Sequence, residues 1–194
     1  MILHQAVDFF DGFVFGTLLV VMTTLIMLVC RFVRIQHIDI RIARKDKFYT
    51  NPVWLLVFAA IEELFARALL LGWLGQRIGF ITAFVVSSVI FTVLHIPNGK
   101  VTIISIANLL LSATFLGVIY MKYGLLSAIG AHYAWNLMQW TILGFPFYSK
   151  PVGRFLQIYP VTVEWQSGGE FGPEYSVVTT IILFAVTTSL LAFM

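Results

Sequence analysis

Three ionisable side chains, Glu62, Glu63 and Arg67, interrupt one long apolar stretch of this chain at residues 52–72. A charge at the centre of a membrane helix costs about 2.5–3.5 kcal/mol on insertion scales, so such groups are functional candidates by default. Glu63 and Arg67 are four residues apart, in the favourable Glu-before-Arg order, and read as a buried structural ion pair. Glu62 is rotated about 100° from Glu63 around a helix. Two carboxylates against one guanidinium leave an excess negative charge that packing does not require, so Glu62 is expected to do chemistry. His95 closes a second apolar stretch just before the helix-ending Pro97. His132 lies within a third, with Asn136 one turn later on the same face. Three polar sites on three helices, at depths that can coincide, point to one shared cavity. His4 and His37, in polar flanks, read as solvated.

Glu62, His95, His132 and Asn136 suit water-activated acyl hydrolysis. A carboxylate in a cavity is a general base, and a His bonded to it positions water and shuttles the proton. A second His and an Asn amide one turn apart can donate to one oxyanion, a role worth roughly 10²–10³ in rate per donor. Zinc is the competing reading, because Glu62, His95 and His132 make a two-His, one-carboxylate set with an open position for water. Against it, the sequence has no His-Glu-x-x-His helix holding two ligands at fixed spacing. None of the serines in the apolar stretches sits in a Gly-x-Ser-x-Gly elbow. The single cysteine, Cys30, excludes an internal disulfide and a Cys-based zinc site.

The elements that must position these residues follow from composition. The chain has 194 residues, 60% hydrophobic and 11% charged, with a mean hydropathy of +0.94. Soluble domains are about 45–50% apolar and about 25% charged, so a soluble enzyme, a disordered chain and a secreted disulfide scaffold are excluded. Apolar runs at residues 12–30, 52–72, 78–94, 101–121, 124–147 and 176–194 predict six transmembrane helices. The runs are continuous rather than alternating, which argues against a barrel. The fold expected is all-α: a polytopic transmembrane bundle with a four-helix catalytic core. Residues 1–51 would form an N-terminal helix and a basic segment, 52–147 the core, and 148–194 a loop and a last helix. The first eleven residues carry Asp8 and Asp11 without Lys or Arg, unlike a signal peptide.

Arg31, Arg34, Arg41, Arg44, Lys45 and Lys47 outweigh Asp39 and Asp46 between the first two spans, which places that segment in the cytoplasm. The basic pI of 9.1 therefore reports topology and lipid headgroups rather than nucleic acid. The spacing of Ile35, Ile38, Ile40 and Ile42 fits either an interfacial helix or a strand. The one long connection, 148–175, is rich in Gly and Pro, falls on the same cytoplasmic side, and is placed to cover the site. Glu62 would lie ~14 Å into its span, at about 1.5 Å per residue.

The motifs resemble a known family. Glu62-Glu63-Leu64-Phe65-Ala66-Arg67 is E-E-x-x-x-R, Phe91 to His95 is F-x-x-x-H, and His132 to Asn136 is H-x-x-x-N. In this order, each on an apolar helix, they resemble the CPBP family of CAAX prenyl proteases of the Rce1 type and bacteriocin-processing or Abi membrane proteins. The segment from Ser167 to Glu174 also resembles a tail of some bacterial members. The resemblance implies an intramembrane endopeptidase with Glu62 activating water beside His95. His132 and Asn136 would be the oxyanion hole, supported by Glu63 and Arg67. It implies a multi-pass protein of a bacterial inner membrane acting on a membrane-anchored or lipidated substrate, with no metal cofactor. A zinc-dependent version, a non-catalytic immunity or scaffold protein and an ion-binding transporter are the alternatives.

Overall fold

Continuous apolar sequence with few breakers leaves the backbone one way to satisfy its own polar groups, and the chain is built mainly of helices. The computed structural model describes residues 2–38, 51–96, 101–146 and 155–193, with side chains from residue 8 onward and to residue 35 in the first stretch. Arg41, Arg44, Lys45, Lys47, Asp39 and Asp46 of the basic segment, Ile40 and Ile42, the helix-ending Pro97, and Pro151 and Gly153 lie outside the described residues, as do the side chains of His4 and His37.

Helix α1 spans Ile2–Val29 and α2 spans Pro52–Glu63, which continues as a π-helical segment over Leu64–Trp73. A four-residue α3, Gly75–Ile78, leads into α4, Phe80–His95. Helix α5 is Ile103–Tyr123, and α6 is Leu125–Asn136, which continues as a second π-helical segment over Leu137–Ile142. After a short α7, Glu164–Ser167, and two 3₁₀ turns, Gly169–Phe171 and Pro173–Tyr175, the chain ends in α8, Val177–Ala192. Six helical rods thus stand where six apolar runs were read. Two stretches, Asp8–Val29 and Ile103–Tyr123, are long and apolar enough to cross a bilayer by themselves. The 16-residue α4 and α8 are apolar but shorter than the usual ~17–25 residues. The outer faces of α1, α4 and α8 remain apolar, through Val14, Leu18 and Leu25, Ile81, Val85 and Val89, and Ile181 and Phe184.

The expectation of an all-α chain needs one correction. Strand β1, Val33–Ile38, pairs antiparallel with β2, Leu156–Pro160, with Val33 opposite Pro160 and Ile38 opposite Leu156. Alternating β-branched residues favour the strand over the interfacial helix. Val33 and Ile158 anchor it by burying their side chains in the main core. This ribbon joins the segment after α1 to the connection before α8, which puts both at one end of the bundle.

The two ends are built differently. Helices α2, α5 and α8 start at the ribbon end with side-chain caps: Asn51 accepts from Val53 N, Thr102 and Ser105 form a capping box, and Ser176 accepts from Thr179 N. At the opposite end single glycines turn the chain, Gly79 at φ 87° before α4 and Gly124 at φ 89° before α6. Side chains with a Cβ rarely adopt that region, so these positions favour glycine. Helices α1 and α6 run parallel and in close approach. A Cβ on Gly12 would strike the Ser127 carbonyl, and one on Gly16 the Ala131 carbonyl. Small residues are what permit helices to approach this closely inside a membrane.

Candidate active site

The geometry begins with Arg67, whose Nε lies 3.1 Å from Glu63 Oε2. Both side chains are essentially sealed, 1% and 0% exposed, whereas the Glu62 side chain is 38% exposed. Arg67 also donates to the Ala113 carbonyl of α5 at 3.2 Å and stacks over the Phe91 ring of α4 at 4.7 Å. One guanidinium therefore fastens α2, α4 and α5 together. Nearby, Ser87 of α4 donates to the Ala66 carbonyl at 2.6 Å. The π-helical segment begins immediately after Glu63, a departure from α geometry often found at functional sites. A second π-helical segment begins immediately after Asn136.

Glu63 does more than neutralise Arg67. Its Oε1 lies 2.8 Å from His132 Nδ1, so it bridges α6 to α2. A carboxylate bonded to Arg67 accepts, which makes His132 Nδ1 the donor. His95 is held in a parallel way: its Nδ1 lies 2.8 Å from the Phe91 carbonyl, an acceptor, and its ring stacks on Phe91 at 4.3 Å. Both imidazoles thus turn Nε2 toward the same atom, Glu62 Oε2, at 3.4 Å from His95 and 3.5 Å from His132. These separations are slightly long for direct hydrogen bonds.

Glu62, His95, His132 and Asn136 line one cavity of about 620 Å³. Its walls are largely apolar, with Leu19, Phe58, Phe115 and Trp140 among them, and its floor reaches Gly16 and Ala131 at the α1–α6 seam. All six residues read as functional from the sequence converge here, the supporting pair Glu63 and Arg67 directly behind the cavity wall. The division between a structural pair and an isolated Glu62 is too simple, however. Glu63 bonds one of the two imidazoles that face Glu62, because α6 crosses beside both carboxylates. Glu62, His95 and His132, the three residues that the zinc alternative would use, face one another here.

Three further residues come to the cavity from places the motifs did not mark. Glu174 and Tyr175 of the last 3₁₀ turn, and Phe171 of the one before, close over it. The Trp135 indole donates to Glu174 Oε1 at 2.9 Å. Asn108 of α5 lines the cavity and donates to the Glu174 and Ser176 carbonyls at 2.7 and 2.9 Å. Burial pushes the Glu174 carboxyl above the ordinary range and the Tyr175 hydroxyl up to about 12. The sequence signals for this lid are its position on the same side as the site, its turn-rich composition and the resemblance of Ser167–Glu174 to a tail of some bacterial CPBP members.

The type II CAAX prenyl endopeptidase Rce1-like family model matches residues 46–138. This region belongs to the Rce1-like family. The match covers all six motif residues, from Glu62 to Asn136, and just under half of the chain. The match ends at residue 138, within the first turn of the second π-helical segment, so Phe171, Glu174 and Tyr175 reach the site from outside it. We found no match among curated proteins or solved structures.

Proposed function

We propose that the protein is a six-span intramembrane endopeptidase that cuts a membrane-anchored or lipidated protein with a water activated by Glu62. The observation that carries this reading is the convergence of both imidazole Nε2 atoms on Glu62 Oε2 inside a largely apolar cavity. Glu62 takes a proton from water as the water oxygen attacks the scissile carbonyl carbon. His95 is held in one tautomer by the Phe91 carbonyl and presents Nε2 to that water. The Asn136 amide donates to the developing oxyanion, which His132 Nε2 also faces. Glu63 orients His132 through its contact with Nδ1, and Arg67 holds Glu63 in place. Desolvated donors of this kind act strongly because nothing must reorganise during the reaction. The apolar walls suit a peptide carrying a lipid or an apolar sequence, and the ribbon end, where His95 and the lid lie, faces the cytoplasm.

The test is cleavage of a farnesylated CAAX-type peptide by detergent-purified protein, with metal analysis of the same sample. Glu62→Gln is expected to abolish turnover while the protein still inserts and melts like the wild type. Wild-type turnover by that variant sinks the mechanism. Stoichiometric zinc with chelator-sensitive activity replaces it by the metal version. Cleavage of unprenylated precursors only would redirect the substrate class.

A further inference from the structure

The mechanism above leaves one chemical need unmet. A tetrahedral intermediate formed from an amide collapses to products only when the departing nitrogen receives a proton. Glu62 has just taken one from water, but it sits on the side of attack. The same cavity is lined by a second carboxyl, Glu174, which the Rce1-like match does not include.

Several features make Glu174 unusual for a residue in a connecting loop. Its side chain enters the cavity that holds Glu62, His95, His132 and Asn136. Its Oε1 accepts from the indole of Trp135, the residue immediately before Asn136, at 2.9 Å. Its backbone carbonyl is held by Asn108 at 2.7 Å, so the loop is fastened from two helices on either side of the carboxyl. Among the described residues no Lys, Arg or His forms an ion pair with it, in contrast to Glu63. A carboxyl held against an indole N–H in an apolar wall, without a cation, keeps its second oxygen for a proton. Burial acts in the same direction, raising its proton affinity.

We propose that Glu174 is a further catalytic residue, the general acid that protonates the leaving amine. This rests on the Glu62 reading of the site. In the attack step the O–H bond of water breaks to Glu62 and a C–O bond forms. In the collapse step the C–N bond breaks, and nitrogen takes the proton of the Glu174 carboxyl to leave as a neutral amine. Glu62 is then protonated and Glu174 ionised, and one proton passing between them through the cavity restores the starting state. The net change is one amide and one water converted to one acid and one amine. No oxidant, reductant or further group is consumed.

The test compares two substrates of the same farnesylated peptide: one with its natural amide bond, the other an ester whose leaving group is a nitrophenol. Nitrophenoxide departs without a proton. Glu174→Gln is expected to lower kcat on the amide by about 10²-fold, within the span of general acid catalysis, and on the ester by less than about 3-fold. Glu174→Asp is expected to regain part of the amide activity. On the amide, wild-type kcat should fall on the alkaline side, and Glu174→Gln should remove that limb. The groups facing Glu174 are the Trp135 indole, His95, His132 and Glu62, with Tyr175 beside it. An alkaline limb that survives unchanged in Glu174→Gln belongs to one of these and overturns the proposal. Equal losses on amide and ester, or no loss on either, overturn the proposal and leave Glu174 a latch for the lid. Full amide cleavage by Glu62→Gln, with Glu174→Gln impaired, would fault the Glu62 reading and not this one.

Discussion

Helix α6 carries two opposite kinds of surface within three turns. One face meets α1 through Ser127, Gly130 and Ala131, so closely that backbone touches backbone, and Ser127 donates to the Asp8 carbonyl at 2.8 Å. The other presents His132, Trp135 and Asn136 to a cavity whose polar groups arrive from α2, α4, α5 and the last 3₁₀ turn. The first surface has no side chains to spare and resists change through sterics. The second is built from long side chains joined by charge and resists change through unpaired polarity. A closely packed seam therefore forms the floor beneath the candidate site.

Substitutions can break that contrast, beginning with those of greatest effect. Glu62→Gln should cost at least about 10³-fold in kcat, drawn from the loss of a general base, with an unchanged melting temperature in detergent. Arg67→Ala should cost about 3–5 kcal/mol of stability, because Glu63 would be left buried without its cation. A double variant, Glu63→Gln with Arg67→Met, should be milder than Arg67→Ala alone. Thermal melts check this order, and additive losses would mean that the two side chains are not coupled.

On the seam, Gly12→Ala should destabilise by about 1–3 kcal/mol through overpacking. The protein that remains folded should show an unaltered pH–rate profile, since no group of the cavity is touched. A shifted profile would show that seam and site are not separable.

The smallest effect concerns pH and stability. Burial raises the Glu174 carboxyl above its unfolded value, so the folded state holds the proton more tightly. Stability from this group is greatest below the unfolded value near 4.5 and declines as pH rises through the folded one. Glu174→Gln should flatten that decline, by about 1 kcal/mol or less, as read from melts at pH 5 and pH 8. A steeper decline in the variant would reverse the sign and contradict burial as the cause.

Much of the site was legible because its logic is local. Glu63 and Arg67 sit one turn apart on a single helix, so their pairing needs only helical geometry. His132 and Asn136 share a face for the same reason, and the apolar runs announced every long helix. The strand at Val33–Ile38 was ambiguous because six residues with alternating isoleucines satisfy two periodicities. Its partner, Leu156–Pro160, lies more than a hundred residues away.

What the sequence by itself determined is the apolar helical class, the pairing of Glu63 with Arg67 one turn apart, and the shared face of His132 and Asn136. Tertiary structure alone decided that Glu63 also holds His132, that both imidazoles aim the same nitrogen at Glu62, and that Glu174 enters the cavity. Those facts depend on which helices become neighbours and how far each is rotated. Periodicity gives the face of one helix, but the partner of that face is set by packing across the whole bundle, through contacts such as Gly12 on Ser127 and Arg67 on Ala113.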